Sequence, residues 1–590
     1  MPRRDLLTAG LLAAVLAVIL VPFARTGVDP HHDGIMLKPA LDVLSGQTLF
    51  RDTFMQYGAL SCYLQVVALW FQPTLLCLKL TTAAAYVATL LLLYATWRLL
   101  LPRSLTLLSC GLFILFLPSY EKNYFGDYWV LLPWSSVLAL MLQCLGLYAL
   151  LQVIRHESAQ RWCLILGMAG AGAFWCRQPV GVFLIGSLVV IALGLHWTGW
   201  RPAHHSKRSL VFWTSAGLAG VSVLLLGTIF FSGAAPEWWY QNFVWPGKWA
   251  TSSATVTWRI VIKIFLHPAS GAVLLGVGLG AVIPGLLRRF RPSFPVRGIL
   301  LYYVFLAAVL VWRKEQMLAA FTLRDGGWSL VFPLVVLLQS VASLAGALAA
   351  RRQPPPAEYH LIAAFAALSL GSLVQYYPVP DPWHIFWSLA PAFGLCVYAF
   401  WRWTGWSAPV VAGVIGLTLL PSLYAKIRLA GDFLTQPLVT LSAPSALRGL
   451  RLPPNQAEAY NRIVRTLDPI LRDQPDIPTI MTGNDALYLC FANNRVNPSP
   501  YFVTWPDLLD PASTQKRWNF VGRFRPLMFL QQANWTAVAD FYRRARYVPL
   551  AYLPDLALEI AVPQELAERL GLPVYDGALG GAAAPAFPPR

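Results

Sequence analysis

The chain has 590 residues, of which 57% are hydrophobic and only 12% charged, and its mean hydropathy is +0.54. A soluble globular protein carries about 25% charged residues, so a water-facing fold is excluded, and the same numbers exclude disorder and a collagen-like repeat. The net charge of +18 would suit a nucleic-acid partner, but a polytopic membrane protein also gathers Lys and Arg in its cytoplasmic loops.

A helix needs about 20 apolar residues to cross the hydrocarbon. Apolar stretches predict spans near 5–24, 74–97, 104–118, 130–153, 162–176, 179–196, 210–231, 270–287, 298–312, 329–350, 361–377, 385–401 and 406–424. That makes 13, or 11 if the pair 162–196 is a re-entrant hairpin. The expected class is an all-α polytopic membrane protein. Its transmembrane domain, 1–429, carries outer loops at 25–73, 119–129, 232–269, 313–328 and 376–384. The first span reads as a retained signal anchor, because its apolar stretch is long and no A-x-A site follows. The eight cysteines form no disulfide framework and no CxxC spacing, and most lie inside apolar runs.

Basic residues set the orientation. With Arg3 and Arg4 in the cytoplasm, alternate loops hold Arg98 and Arg103, Arg155 and Arg161, Lys207 and Arg208, Arg288 to Arg297, Arg351 and Arg352, and Arg402. The opposite loops hold most of the acids. The clearest exception is 313–328, with Arg313, Lys314 and Arg324 outside. The positive-inside rule therefore accounts for the charge, and no nucleic-acid partner is expected. The expected location is a bacterial inner membrane, with the N-terminus cytoplasmic and the C-terminal domain outside.

Loop 25–73 is too long for a connector. It runs Asp29-Pro30-His31-His32-Asp33-Gly34, then an amphipathic stretch to Gly46, then Arg51-Asp52-Thr53-Phe54-Met55-Gln56-Tyr57-Gly58 and a second apolar helix to Phe71. Two helices lying at the outer interface fit it. The bland role for Asp33 is a helix cap. In the second outer loop, Glu121 and Asp127 precede a span, and an acid at membrane depth usually has a task. Arg177-Gln178-Pro179 is wedged between two apolar runs. Arg177 either snorkels to headgroups or receives a lipid phosphate in its guanidinium fork. Asp381 and His384, three apart at a helix start, can face one pocket. Loop 232–269, with Trp238, Trp239, Trp245 and Lys248, suits interfacial anchoring or a lipid-phosphate groove. No Walker, HExxH or GxSxG motif is present.

Beyond 430 the composition turns polar. Helical periodicity at 455–472, strands at Pro478–Gly483 and Tyr547–Leu553, and a helix at Asp485–Ala492 predict a small extracytoplasmic α/β domain over 430–576. The Gly-, Ala- and Pro-rich stretch 577–590 reads as a disordered tail.

The pattern resembles the GT-C superfamily of integral-membrane glycosyltransferases, in particular its lipid A aminoarabinose transferase and protein O-mannosyltransferase branch. Four features carry the likeness: Asp33 just after the first span, a long first loop with interfacial helices, the acids Glu121 and Asp127 ahead of the fourth span, and a many-span chain ending in an outer domain. The Gly46–Gly58 stretch, with Arg51 and Tyr57, also resembles bacterial members. His31-His32 ahead of Asp33 and the Asp381/His384 pair depart from the family pattern.

The resemblance implies sugar transfer from a polyprenyl-phosphate donor to a hydroxyl of a lipid, glycan or protein acceptor. Asp33 would be the general base, with Asp127 a second catalytic carboxylate. Arg177 with Lys248 or a divalent cation, Mg or Mn, would hold the phosphate. His32, Arg51, Tyr57, Glu121, Gln178, Asp381 and His384 would line the substrate site, and His32, Asp33 and Asp127 are the candidate metal ligands. Two other classes fit the membrane pattern. An O-antigen polymerase or ligase would need outer Arg and His and dispense with Asp33. A polyprenyl-lipid flippase or transporter would show charges within spans and an internal repeat.

Overall fold

A computed structural model describes residues 3–118, 131–155, 159–197, 199–200, 206–247, 357–376, 382–483, 485–492, 511–531 and 545–574, with four isolated positions between 333 and 341. The predicted spans 270–287 and 298–312 lie outside these residues, as do 329–350 apart from those four positions, loop 313–328, the tail 577–590, and Glu121, Asp127, Lys248 and Asp381.

Nine helices open the described chain: α1 (Arg3–Ala24), α2 (His32–Leu44), α3 (Ala59–Phe71), α4 (Leu75–Trp97), α5 (Arg103–Phe116), α6 (Ser135–Ile154), α7 (Ala159–Cys176), α8 (Gln178–Trp197) and α9 (Lys207–Phe231). Seven of them match predicted spans, and α2 and α3 are the two helices expected in the first loop. The pair at 162–196 forms full-length helices of 18 and 20 residues, not short half-helices. After α9 the chain turns through Ala235–Trp239 into a π-helical turn, Tyr240–Val244.

Later come helices Ala357–Ser372, Pro382–Leu389, Phe393–Thr404 and Ala408–Thr435. The span predicted at 385–401 is broken by a 3-10 turn at Ala390–Ala392, where Pro391 supplies no amide to the helical ladder.

Among the described residues, six helices are long and apolar enough to cross a membrane, and the chain is a multi-pass membrane protein. Its outer faces carry large exposed apolar side chains: Leu7 on α1 is 70% exposed, Leu224 on α9 69% and Phe231 95%. Such surface suits lipid, because each helix satisfies its backbone internally. Large residues such as Trp97, Trp175 and Trp387 fill the interior.

The two ends of the bundle differ. At one end Asp5 accepts from Tyr94 Oη at 3.1 Å and pairs with Arg98 at 3.4 Å, and Arg103 donates to Thr8. At the other end α1 runs into the first loop. Beyond that loop lie a two-stranded ribbon, β1 (Val439–Thr440) with β2 (Arg451–Leu452), and a sheet of order β3-β4-β6-β5: β3 (Thr479–Thr482), β4 (Leu527–Gln531), β5 (Tyr547–Leu553) and β6 (Leu558–Pro563). Strands β3 and β4 are parallel and the other pairings antiparallel.

Helix Pro511–Phe524 covers one face of the sheet through Phe520 and Val521. The other face shares a core with helix Pro454–Asp473 and with the first loop, in which Ile35, Leu37, Phe50 and Phe54 join Tyr460, Leu487, Phe529 and Ile560. The C-terminal unit therefore has no private core on that side. It is tied to the loop by Arg451 N donating to Arg25 O at 2.7 Å and Leu487 N to Pro30 O at 3.1 Å.

Candidate functional site

The Asp29–Asp33 turn starts α2. Oδ1 of Asp29 accepts the amides of His31 at 3.1 Å and His32 at 2.9 Å, and Oδ2 lies 2.9 Å from His32 Nδ1. Asp29, not Asp33, therefore holds the otherwise unpartnered amides at this helix start. Its carboxyl sits far below the usual range: the His32 ring, through charge and hydrogen bonding, outweighs the opposing effect of burial. Asp33 faces inward. Its Oδ2 accepts the Asp29 amide at 2.9 Å and lies 3.1 Å from Lys79 Nζ, while Oδ1 is buried without a hydrogen-bond partner among the described residues. Burial pushes its carboxyl up to about 6, against the pull of Lys79. Lys79, on the first turns of α4, also donates to Gly27 O at 2.7 Å.

Trp134, at the N-cap of α6, is the hub of the site. Its ring centroid is 4.5 Å from that of His32, 5.5 Å from His384, 5.6 Å from Trp387 and 6.2 Å from Tyr57. Arg177 occupies the break between α7 and α8. Its Nη2 is 3.3 Å from His384 Nε2, and its guanidinium carbon is 6.0 Å from the centre of the Tyr57 ring. Pro179 interrupts the helical ladder there, and Cys176 O accepts the Gly58 amide at 3.1 Å. Gly58 is required at that contact: a Cβ would lie 2.0 Å from Trp175 O.

The structure thus brings His32, Asp33, Tyr57, Arg177 and His384 to one end of the bundle, from four separate stretches of sequence. It sends two expected residues elsewhere. Arg51 pairs with Asp52 at 2.9 Å and donates to Ser232 O at 3.1 Å, which ties the loop to the end of α9. Gln178 donates to Asn242. That contact belongs to a buried clamp in which Gln241 takes the Met55 amide at 2.9 Å and donates to Phe50 O at 2.8 Å, fixing the loop that carries Tyr57.

Sequence reasoning missed Asp29, Lys79 and Trp134 as site residues. Lys79 had a signal, a lone ammonium in an apolar run.

A divalent cation does not fit the described part of this site. No group of three His, Cys, Asp or Glu side chains is gathered there. The Lys79 ammonium already stands beside Asp33, and Asp29 spends its oxygens on two amides and His32.

No family model matches the chain, and no curated protein matches it. Among solved structures it is similar to the Archaeoglobus fulgidus oligosaccharyltransferase in complex with Zn and sulfate, at 12% identity over 95% of this chain and 73% of that one, with a TM-score of 0.47. It is similar to the same organism's oligosaccharyltransferase AglB in complex with an inhibitory peptide and a dolichol-phosphate, at 12% identity, 95% and 74% coverage, and a TM-score of 0.47. It is also similar to ArnT from Cupriavidus metallidurans bound to undecaprenyl phosphate, at 12% identity, 99% and 100% coverage, and a TM-score of 0.43.

Proposed function

We propose that the protein is a membrane glycosyltransferase of GT-C type, which moves a sugar from a polyprenyl-phosphate donor to an acceptor hydroxyl on the extracytoplasmic side. The observation that carries this reading is the pairing, around Trp134, of a cation for phosphate with a set of acid–base groups. Trp134 meets His32 of the Asp29–Asp33 turn, with ring centroids 4.5 Å apart, and meets His384, the partner of Arg177, at 5.5 Å.

Nucleotide sugars are confined to the cytoplasm, so a donor used outside must arrive on a lipid. Its phosphate would sit at headgroup level, where Arg177 presents a fork suited to phosphate oxygens. The acceptor oxygen attacks the anomeric carbon as the bond from that carbon to the phosphate oxygen breaks. The departing polyprenyl phosphate gains charge, which Arg177 stabilises, and the Asp29–Asp33 turn takes up the hydroxyl proton. A single displacement inverts the anomeric centre. Within this reading His384 and Tyr57 orient Arg177. Asp127, Glu121, Lys248 and Asp381 remain proposed contributors from the other outer loops.

The test is transfer in proteoliposomes from a panel of polyprenyl-phosphate sugars to lipid, glycan and peptide acceptors. Turnover of at least one donor, lost in Arg177→Ala, supports the reading. Chain-length extension of a lipid-linked glycan without use of any monosaccharide donor would make the protein a polymerase. Donor translocation without a new glycosidic bond would make it a flippase.

A further inference from the structure

We propose that the group accepting the proton is His32, held in one tautomer by Asp29, and that the fully buried Asp33 acts as a positioning residue behind it; this rests on the glycosyl-transfer reading above. The dyad is built from short contacts. Asp29 Oδ2 is 2.9 Å from His32 Nδ1, and Asp29 Oδ1 is fixed by two backbone amides, so the carboxylate cannot turn away. An ionised carboxylate only accepts hydrogen bonds, so Nδ1 carries the proton. The lone pair of the neutral ring is then on Nε2, the nitrogen that takes the acceptor's proton. An aspartate that fixes an imidazole tautomer and stabilises the imidazolium it becomes is a known catalytic arrangement.

Asp33 is less suited to that task. It is 0% exposed, with Oδ2 committed to the Asp29 amide and to Lys79. The His32 side chain keeps 12% of its surface and packs on Trp134, the residue that also meets His384 beside Arg177. One tryptophan thus links the proton acceptor to His384, the partner of the phosphate cation.

The step balances. The hydroxyl O–H bond breaks and its proton moves to Nε2. The oxygen forms a bond to the anomeric carbon, and the electron pair of the old C–O bond leaves with the polyprenyl phosphate. The imidazolium then loses its proton to water. Among the described residues, Asp29 and His31 meet this ring from its own turn; Asp33 and Lys79 pair beside that turn, Tyr488 of the C-terminal unit interacts with Asp29, and Tyr57 and His384, each near Arg177, meet Trp134.

The experiment uses the full-length protein in proteoliposomes with a polyprenyl-phosphate sugar that the wild type turns over. His32→Gln is expected to slow kcat by about 10²–10⁴-fold with little change in donor KM. Added imidazole should restore part of the rate to His32→Ala and none to Asp33→Asn. Asp29→Asn should slow transfer and move the acidic limb of the kcat/KM profile to lower pH, because the imidazolium loses its counter-charge. His32→Gln within a few-fold of wild type, or an acidic limb unmoved in Asp29→Asn together with no imidazole rescue, would overturn the dyad and leave glycosyl transfer standing. A wild type silent toward every donor would overturn both.

Discussion

Lys79 reaches out of the first turns of α4 to set its ammonium 3.1 Å from the Asp33 carboxylate, and neither side chain touches solvent. The pair fastens the first loop to the bundle. Removing one partner of a buried pair typically costs about 3–5 kcal/mol, whereas removing both is often tolerated. Lys79→Met should therefore lower the thermal midpoint in detergent by several degrees, and Asp33→Asn/Lys79→Met should recover much of the loss. Calorimetry or intrinsic fluorescence reads the outcome.

The same carboxyl gives a pH signature. Its folded value of about 6 lies above the ordinary 3.8, so the folded protein binds this proton more tightly than the unfolded chain does. The group favours folding most when protonated. Its contribution falls as pH rises from about 4 through about 6, by an amount on the order of 3 kcal/mol at 1.36 kcal/mol per unit. The difference in thermal midpoint between wild type and Asp33→Asn should move against the wild type across that window and level off above it.

Arg177 lies against His384 and Tyr57 at the gap between α7 and α8. A charge-assisted hydrogen bond is worth about 1.5–3 kcal/mol, so Arg177→Ala should weaken binding of a polyprenyl phosphate by roughly 10- to 100-fold. Arg177→Lys should recover only part of this, since an ammonium lacks the fork. Fluorescence quenching titrations with the lipid measure it. Unchanged affinity in the Ala variant would leave Arg177 a headgroup anchor.

Gly34 packs directly on the C-terminal unit: a Cβ there would lie 2.1 Å from Leu487 N and 2.6 Å from Ala486 C. Neither contact can yield, because both atoms are backbone. Gly34→Ala should separate the first loop from the 3-10 helix Ala486–Phe491 and speed protease cleavage of the C-terminal unit. Cleavage at the wild-type rate would refute that docking.

Cysteine labelling tests the orientation. All eight native thiols are buried or half-buried, so background should be low. Cysteines at Ser45 and Glu458 should react with an impermeant maleimide from the outside, and one at Arg98 only after permeabilisation.

The spans were legible because about 20 apolar residues in a row leave few alternatives. Strand β5 falls where the sequence predicts a strand, and helix Pro454–Asp473 where its periodicity predicts a helix. The candidate site was legible at Arg177, a polar residue set against apolar sequence, and at His384, three residues from Asp381 at a helix start. What sequence could not show was which carboxylate points inward. Asp29 and Asp33 are one helical turn apart, and their roles separate only because Lys79, some fifty residues on, draws Asp33 into the bundle. Trp134 was one of 24 tryptophans, and only the packing of α6 on its neighbours gives it four aromatic contacts in the site.

The bond between Pro30 and Leu487 joins two points far apart in the chain. During synthesis the first loop emerges early and waits, with Ile35, Leu37 and Phe54 lacking the surface that will cover them. The turn bearing Asp29, His32 and Asp33 is backed on that side only once the stretch Ala486–Phe491 has been made. A nascent or truncated chain can therefore be inserted in the bilayer while this turn still lacks its backing.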